Sequence, residues 1–380
     1  MTPSPAAKGS PLHRLAVVVP LLGLAALIAV WGRDLPAVVE GVVVVLLAGA
    51  VLAAVHHAEV VAHRVGEPFG SLILAVAVTV IEVGLIITLM ISGGAGTSSL
   101  ARDTVFAAVM ITCNGIAGLS LLVTALRRRV AVFNPEGTGA ALGTVITVAT
   151  LSMVLPSFTT GTPGPRFTGP QLAFAAVASL TLYVLFVVVQ NVRHRDYFLP
   201  VTSVGRHTAG AASPAAAEAP DDEHAAAPSP RTALTSLVLL VAALVAVVGL
   251  AKVESGTIEA AVATAGLPHS VVGVVIALLI LLPETLAAVR NARRDRVQIS
   301  LNLALGSAMA SIGLTIPAIA VASIWLKGPL VLGLGPVQIV LLALTAGVGV
   351  LTVMPGRATL LQAALHLSVC AAFLFLAASP

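Results

Sequence analysis

An all-α integral membrane protein with about eleven transmembrane helices is the fold class that the sequence predicts. Hydrophobic residues make up 58% of the 380 residues and charged residues only 9%, against about 25% charged in an average soluble protein. Eleven stretches have the apolar length that a membrane-spanning helix needs, about 17–25 residues. The basic residues between these stretches fall mostly on one side of the membrane.

The predicted spans follow one another closely, apart from one long loop between the sixth and the seventh. The first span follows a short basic stretch, as in a signal peptide, but no small-residue cleavage site separates it from the next apolar run. We therefore interpret it as a transmembrane helix. The predicted spans are residues 15–32, 37–55, 70–92, 104–126, 139–156, 171–192, 235–252, 271–289, 300–324, 329–353 and 359–378.

The distribution of Lys and Arg predicts the orientation of the chain. The N-terminal stretch and the loops after the even-numbered spans carry fifteen of the twenty basic residues, and the other loops carry five. Because cytoplasmic loops are enriched in Lys and Arg, the N-terminus is predicted in the cytoplasm and the C-terminus outside. The net charge of +4 is explained by these loops, and no nucleic-acid partner is expected.

A segment rich in Ala, Pro and Ser divides the spans into two groups of five, with the first span as an extra helix. Its composition predicts a flexible cytoplasmic linker, and its acidic stretch, residues 221–224, is either solvated linker or a cation sensor. Because five is odd, two five-helix repeats would be inserted with opposite topology, as in many secondary transporters. The predicted domains are 1–36 (tail and first span), 37–198 (first repeat), 199–234 (linker) and 235–380 (second repeat).

Each half carries one glutamate inside its second span. Glu82 lies in "AVAVTVIEVGLIITLM" and Glu284 in "ALLILLPETLAAVR", and each costs about 2.5–3.5 kcal/mol to place at mid-membrane. At about 1.5 Å per helical residue the two lie at similar depths from opposite faces. No Lys or Arg lies in a predicted mid-membrane stretch to pair with them. We therefore predict that they meet at a central functional site, rather than merely holding helices together.

Two buried carboxyl groups can hold protons or a cation, and these compete. Two carboxylates neutralise one divalent cation, and Ca2+ needs six to eight oxygen ligands in all. Pro283 removes a backbone hydrogen bond next to Glu284, and it is either an ordinary kink of a membrane helix or a means of freeing a carbonyl group for the ion. Asn114 and Asn302 are either ligands or interhelical hydrogen-bonding residues. Candidate supporting residues are Thr79, Thr88, Thr112, Asn114, Pro283, Thr285, Asn302, Ser307 and Ser311.

Histidines and one further glutamate suggest a route for protons. His56, His57, Glu59 and His63 lie at helical spacing in "HHAEVVAHR", which favours a polar helix end or a proton entry path over a zinc site. His366, in "AALHLSV", is either a satisfied polar contact or a proton relay.

Several motifs resemble the calcium/cation antiporter superfamily, in particular its ChaA-type bacterial branch of calcium/proton exchangers. They are "HAEVVAHRVGEPFGSLILAVAVTVIEVGLI" (57–86), "RDTVFAAVMI", "LLPETLAAV", "LNLALGSAMASIGLTIPA" and "GRATLLQAALHL". The resemblance implies that Glu82 and Glu284 line the cation site. It also implies that Gly306 and Ser307, in "LGSA", provide close backbone approach and ligation, and that Glu59 is the family's acid near the end of the second helix.

The resemblance implies a secondary active cation/proton antiporter of the bacterial inner membrane that works by alternating access. Ca2+/H+ exchange is favoured, with Ca2+ and H+ as cargo and no resident cofactor. The family's Gly-Asn pair before each acid is replaced by "VTVI" and "ILLP", which keeps Na+(K+)/H+ antiport as the alternative. A non-coupled channel is a further alternative. An enzyme is not expected, because the sequence has no Walker loop and no membrane-embedded HExxH motif.

Overall fold

A computed structural model describes residues 11–33, 35–66, 69–92, 97–201, 228–326 and 328–379. The acidic stretch at 221–224 lies outside these residues. The chain is built almost entirely of helices. They are α1 (Pro11–Val30), α2 (Ala37–Val65), α3 (Phe69–Ser92), α4 (Leu100–Met110), α5 (Ala117–Arg128), α6 (Pro135–Ala149), α7 (Gly169–Val188), α8 (Pro230–Thr264), α9 (Ser270–Ile280), α10 (Leu282–Arg293), α11 (Val297–Ala322), α12 (Pro336–Val353) and α13 (Leu360–Ala378).

The outer surface of the helices is apolar, as expected for contact with lipid. Large aliphatic side chains such as Ile28 (80% exposed) and Val38 (81%) point outward, where a soluble protein carries polar groups. In the described part of the chain, nine helices are long and apolar enough to cross a bilayer, and the bent pair α9–α10 makes ten. The count of eleven is not confirmed, because the apolar part of α1, Leu15–Val30, is short.

Several helices extend beyond the predicted spans. α2 continues to Val65 and α8 runs over 35 residues from Pro230 to Thr264. The predicted spans are shorter because they were bounded by the apolar stretches, whereas a helix can continue through polar residues at the membrane surface. α8 thus begins inside the segment predicted as the linker, 199–234. Ser229 caps α8 with its side chain, which accepts a hydrogen bond from the Thr232 backbone N–H at 3.2 Å.

The helices pack in reciprocal pairs across the two halves. α3 packs on α11 and α9 packs on α4, whereas α5 packs on α13 and α11 packs on α7. Glycines allow the last two contacts: a Cβ atom on Gly118 would lie 3.0 Å from the His366 Cβ, and one on Gly313 would lie 2.6 Å from the Tyr183 Cβ. Two inverted repeats would produce this reciprocity, although the division at 37–198 and 235–380 stays a prediction.

One feature departs from the all-α prediction. Residues Ala131–Val132 (β1) pair antiparallel with Arg357–Ala358 (β2), so the loops after α5 and α12 meet on one side of the protein. Gly356, with a φ of +64°, turns the chain into β2. On the same side, Arg128 forms a 2.7 Å ion pair with Asp295. We call this the basic side, because it carries the loops after α5, α7 and α10.

Candidate functional site

Glu82 and Glu284 line the same cavity. The cavity has a volume of about 380 Å3 and lies between α3, α7, α9, α10 and α11. Glu82 is 3% exposed and Glu284 8% exposed. The structure therefore brings together two acids that lie 202 residues apart in the chain and come from different halves. Their role in ion binding stays a prediction.

Glu82 lies within the unbroken helix α3. Its Oε1 accepts a 2.7 Å hydrogen bond from the Ser311 hydroxyl of α11. One turn before Glu82, the Thr79 hydroxyl donates to the Ala75 carbonyl at 2.9 Å, and Thr79 also lines the cavity. A hydroxyl oxygen whose hydrogen is already used in this way can still face a cation with its lone pairs.

Glu284 has a different backbone setting from Glu82. Pro283 lies in the first turn of α10, and the axis of α10 is bent by 50° from that of α9. Glu284 is thus at a helix N-terminus, where free backbone N–H groups favour a negative charge. Among the described residues, its Oε2 has no hydrogen-bond partner. The two acids are equivalent in sequence but not in environment.

One wall of the cavity is formed by α11, which contributes Asn302, Gly306, Ser307 and Ser311. The Asn302 side chain donates to the Phe198 carbonyl at 2.6 Å. A Cβ atom on Gly306 would have no neighbour within 4 Å, so the backbone at Gly306 borders open space in the cavity, and its predicted role in close backbone approach and ligation stays a prediction.

Thr112 and Asn114, predicted as supporting residues, do not line the cavity. They lie in a π-helical segment, Ile111–Ile116, between α4 and α5. Thr112 donates to the Ala108 carbonyl at 2.7 Å. Asn114 instead joins a second polar cluster, with 2.9 Å to Thr345 and 3.2 Å to His366. Tertiary packing placed Asn114 there, because its side of the helix meets α12 and α13.

Glu59 and His56 also lie outside the lining of the cavity. Glu59 is exposed near the end of α2. The His56 and His57 rings lie 5.4 Å apart. In the described part of the chain, no three metal-binding side chains come together, so the zinc alternative gains no support.

The cavity extends toward the basic side. Its lining residues come from the first turns of α3 and α11 and from the last turns of α7, and Gln190 belongs to the π-helical segment Val189–Arg193 that follows α7. These parts adjoin the basic loops. Tyr183, Phe186 and Gln190 in the wall were missed by sequence reasoning, because nothing in the sequence of an apolar helix tells which face meets a cavity.

The helices and the cavity define a multi-pass helical membrane protein with two acidic groups at its centre. The family model described as sodium/calcium exchanger protein matches residues 35–192 and 235–378. The chain belongs to this family. This confirms the predicted calcium/cation antiporter superfamily, whose members are transporters and not enzymes.

Relatives and solved structures agree with this assignment. The chain is 30% identical to the sodium-potassium/proton antiporter ChaA of Escherichia coli, over 94% of each chain. It is 46% identical to y4hA of Sinorhizobium fredii, whose name describes an ionic transporter, over 88% of this chain and 87% of the relative. The fold matches native YfkE (TM-score 0.69, 16% identity, 97% of this chain and 99% of the other) and the H+/Ca2+ exchanger CAX (TM-score 0.67, 15% identity, 96% and 92%).

Proposed function

We propose that the protein is a secondary active cation/proton antiporter, with Ca2+/H+ exchange as its reaction. The observation that carries this proposal is the pair of buried acids Glu82 and Glu284, from different halves, on the wall of one cavity. No Lys, Arg or His is among the described residues that line it. Protons or a cation must therefore neutralise the two acids.

Coupling follows from the cost of the empty, doubly charged state. Two carboxylates in a site of low dielectric destabilise each other unless protons or a cation are bound. Either loaded form is near neutral and can be exposed to alternate sides of the membrane, whereas the empty form is penalised. In the conformation described here, the cavity extends toward the basic side, which the distribution of Lys and Arg predicts to be cytoplasmic.

Ca2+ is the favoured cation because the cavity offers oxygen ligands. Besides the two carboxylates, the wall includes Thr79, Asn302 and Ser307, which suit a hard cation with many oxygen ligands. Na+(K+)/H+ antiport on the same site is the second candidate, because the relative ChaA is named as a sodium-potassium/proton antiporter. We place the protein in the bacterial inner membrane with the N-terminus in the cytoplasm and the C-terminus outside.

The test is cation-driven discharge of a proton gradient in everted membrane vesicles. Energised vesicles containing the protein are expected to lose their interior acidity when Ca2+ is added, and Na+ and K+ are tested alongside. Glu82→Gln and Glu284→Gln should abolish the response. Glu136→Gln, an exposed acid in the first turn of α6, should not change it. A normal response in Glu82→Gln, or ion flux without proton coupling, would overturn the proposal.

A further inference from the structure

A buried glutamine holds one residue on the wall of the cavity that contains Glu82 and Glu284. Asn302 lies on this wall, and its Oδ1 accepts a 2.8 Å hydrogen bond from the Nε2 of Gln298. The two residues are four positions apart on α11, a spacing at which side chains on a helix meet. Gln298 is 1% exposed and is not among the described residues that line the cavity. It can therefore affect the cavity through Asn302 without facing it.

Backbone groups at both ends determine the direction of this hydrogen-bond chain. The Asn134 N–H, which can only donate, lies 2.6 Å from the Gln298 Oε1. The Phe198 carbonyl, which can only accept, lies 2.6 Å from the Asn302 Nδ2. Because an amide oxygen accepts and an amide NH2 group donates, both side-chain amides have one orientation that satisfies the chain. A flip of either amide would place two donors or two acceptors against each other.

The two ends of the chain are anchored in the part of the sequence that precedes the predicted linker. Asn134 caps α6, and its Oδ1 accepts a hydrogen bond from the Glu136 backbone N–H at 3.0 Å. Phe198 is 6% exposed. Gly137, in the first turn of α6, has no room for a Cβ atom beside the Tyr197 carbonyl oxygen, so α6 packs directly on the backbone next to Phe198. The chain therefore ties the cavity wall in α11 to a well-packed frame.

This arrangement decides what Asn302 can offer to a cation. An amide oxygen has two lone pairs, and the one that Gln298 does not use remains as an acceptor on Asn302. An amide that rotated freely would also turn its NH2 group toward a cation, and an N–H donor repels a positive charge. The rotational freedom of Asn302 is lost when the protein folds rather than when a cation binds, which favours binding.

We propose that Gln298 is a positioning residue for cation binding, which keeps the Asn302 amide in the orientation that offers Oδ1 to a cation in the cavity. Gln298 itself does not contact the cation. Loss of its side-chain amide frees Asn302 to rotate, so the affinity for the cation falls. The maximal rate of transport changes little, because Glu82 and Glu284 are unaltered. This inference rests on the proposed function, since a cation must bind in the cavity.

Equilibrium binding of Ca2+, Na+ and K+ to the purified protein in detergent tests this proposal without transport. Gln298→Met keeps the length of the side chain and removes its amide, so it should raise the Kd of the bound cation about fivefold, the factor expected for one hydrogen bond. In the vesicle assay the KM should rise by a similar factor, with the maximal rate kept within about twofold. An unchanged Kd in Gln298→Met would overturn the proposal. Gln298→Asn, which is one methylene too short to reach Asn302, has the same expected result and replaces Gln298→Met if that variant does not fold.

A double-mutant cycle separates positioning from a general effect on the fold. Asn302→Ala should itself raise the Kd, because it removes the oxygen that Gln298 holds in place. When Gln298→Met is added to Asn302→Ala, the Kd should not rise further, since Gln298 then has no ligand to position. If the two changes instead multiply their effects, Gln298 acts independently of Asn302 and the proposal is wrong.

Gln338→Met is the matched control. The Gln338 Oε1 also accepts a hydrogen bond from a backbone N–H, that of Gly335 at 2.9 Å, but Gln338 lies in the first turn of α12. It should keep the native Kd, and an equal rise in this variant would overturn the proposal. If a cation binds and its Kd responds to Gln298→Met, but no cation discharges the proton gradient, the proposed antiport fails and the positioning role stands. Antiport with an unchanged Kd in Gln298→Met would refute the positioning role alone.

Discussion

Replacing Gly313 by Ala is expected to destabilise the protein, whereas the same change at Gly306, two turns earlier in α11, is expected to be tolerated. A Cβ atom on Gly313 would lie 2.6 Å from the Tyr183 Cβ and 3.0 Å from its Cγ. The Tyr183 Cβ is fixed by the backbone of α7 and cannot swing away, so α7 and α11 must separate. A Cβ atom on Gly306 would point into open space.

The magnitude follows from a comparison of the two variants. Gly→Ala in a helix gains roughly 0.5–1 kcal/mol from backbone entropy, and this gain is the same at both positions. Overpacking a contact costs about 1–3 kcal/mol and applies only to Gly313→Ala. The free energies of unfolding of the two variants should therefore differ by about 1–3 kcal/mol, with Gly306→Ala the more stable.

Unfolding of the purified protein by SDS titration, monitored by circular dichroism, measures this difference. Because Tyr183 lines the cavity that contains Glu82 and Glu284, Gly313→Ala should also lower transport in the vesicle assay. Equal stability of the two variants, or a more stable Gly313→Ala, would refute the reasoning that α11 and α7 are in close contact at this glycine.

Three further predictions concern other parts of the molecule. Glu254 is fully buried, and both of its carboxyl oxygens are without a partner among the described residues. Glu254→Met should therefore raise the free energy of unfolding by about 1–3 kcal/mol, whereas Glu254→Gln should not raise it. A loss of stability in Glu254→Met in the SDS titration would contradict this prediction. Pro283→Ala should slow transport several-fold without lowering expression. The new backbone N–H can donate to the Leu279 carbonyl and straighten α9–α10. Unchanged transport rates would mean that transport does not depend on the bend between α9 and α10. The hydrogen bond from Arg128 holds the pKa of Asp295 below its usual value. The pair therefore stabilises the fold at pH values above the usual pKa of an aspartate, and this stabilisation is lost as the pH falls through the lowered pKa. The pair is exposed, so Asp295→Asn, which also tolerates the φ of 60°, should leave stability at pH 7 nearly unchanged, whereas Asp295→Ala should cost about 1 kcal/mol.

Much of the fold could be predicted from the sequence because the bilayer imposes a simple length rule. Apolar stretches located the helices, and the long polar segment located the break between the two halves. The ends of α2 and α8 were predicted less well, since helices continue into polar residues such as His56 and Glu59 once apolar packing on a neighbour supports them. The break at Leu281 between α9 and α10 was suggested only by Pro283, which is tolerated in many straight membrane helices.

The candidate site was predicted in part. A carboxyl group in an apolar helix is costly enough to be noticed, so Glu82 and Glu284 stood out from the sequence. Ser311 was one of many hydroxyl candidates, and only the contact of α3 with α11 singles it out. Asn114 looked equivalent to these residues, yet its helix face meets α12 and α13, where it bonds His366.

The sequence by itself determined that this chain forms many membrane helices, that each half carries one central acid, and which family it belongs to. These properties depend on composition and local spacing, because the hydrophobic thickness of a bilayer sets the length of apolar sequence that a spanning helix needs. Only the tertiary structure decided that Glu82 is hydrogen-bonded and the Glu284 Oε2 is not, that Asn302 and Ser307 face the cavity, and that His366 belongs to a separate network. Those properties depend on which face of each helix meets which neighbour, and in a uniformly apolar helix small differences in packing set that choice.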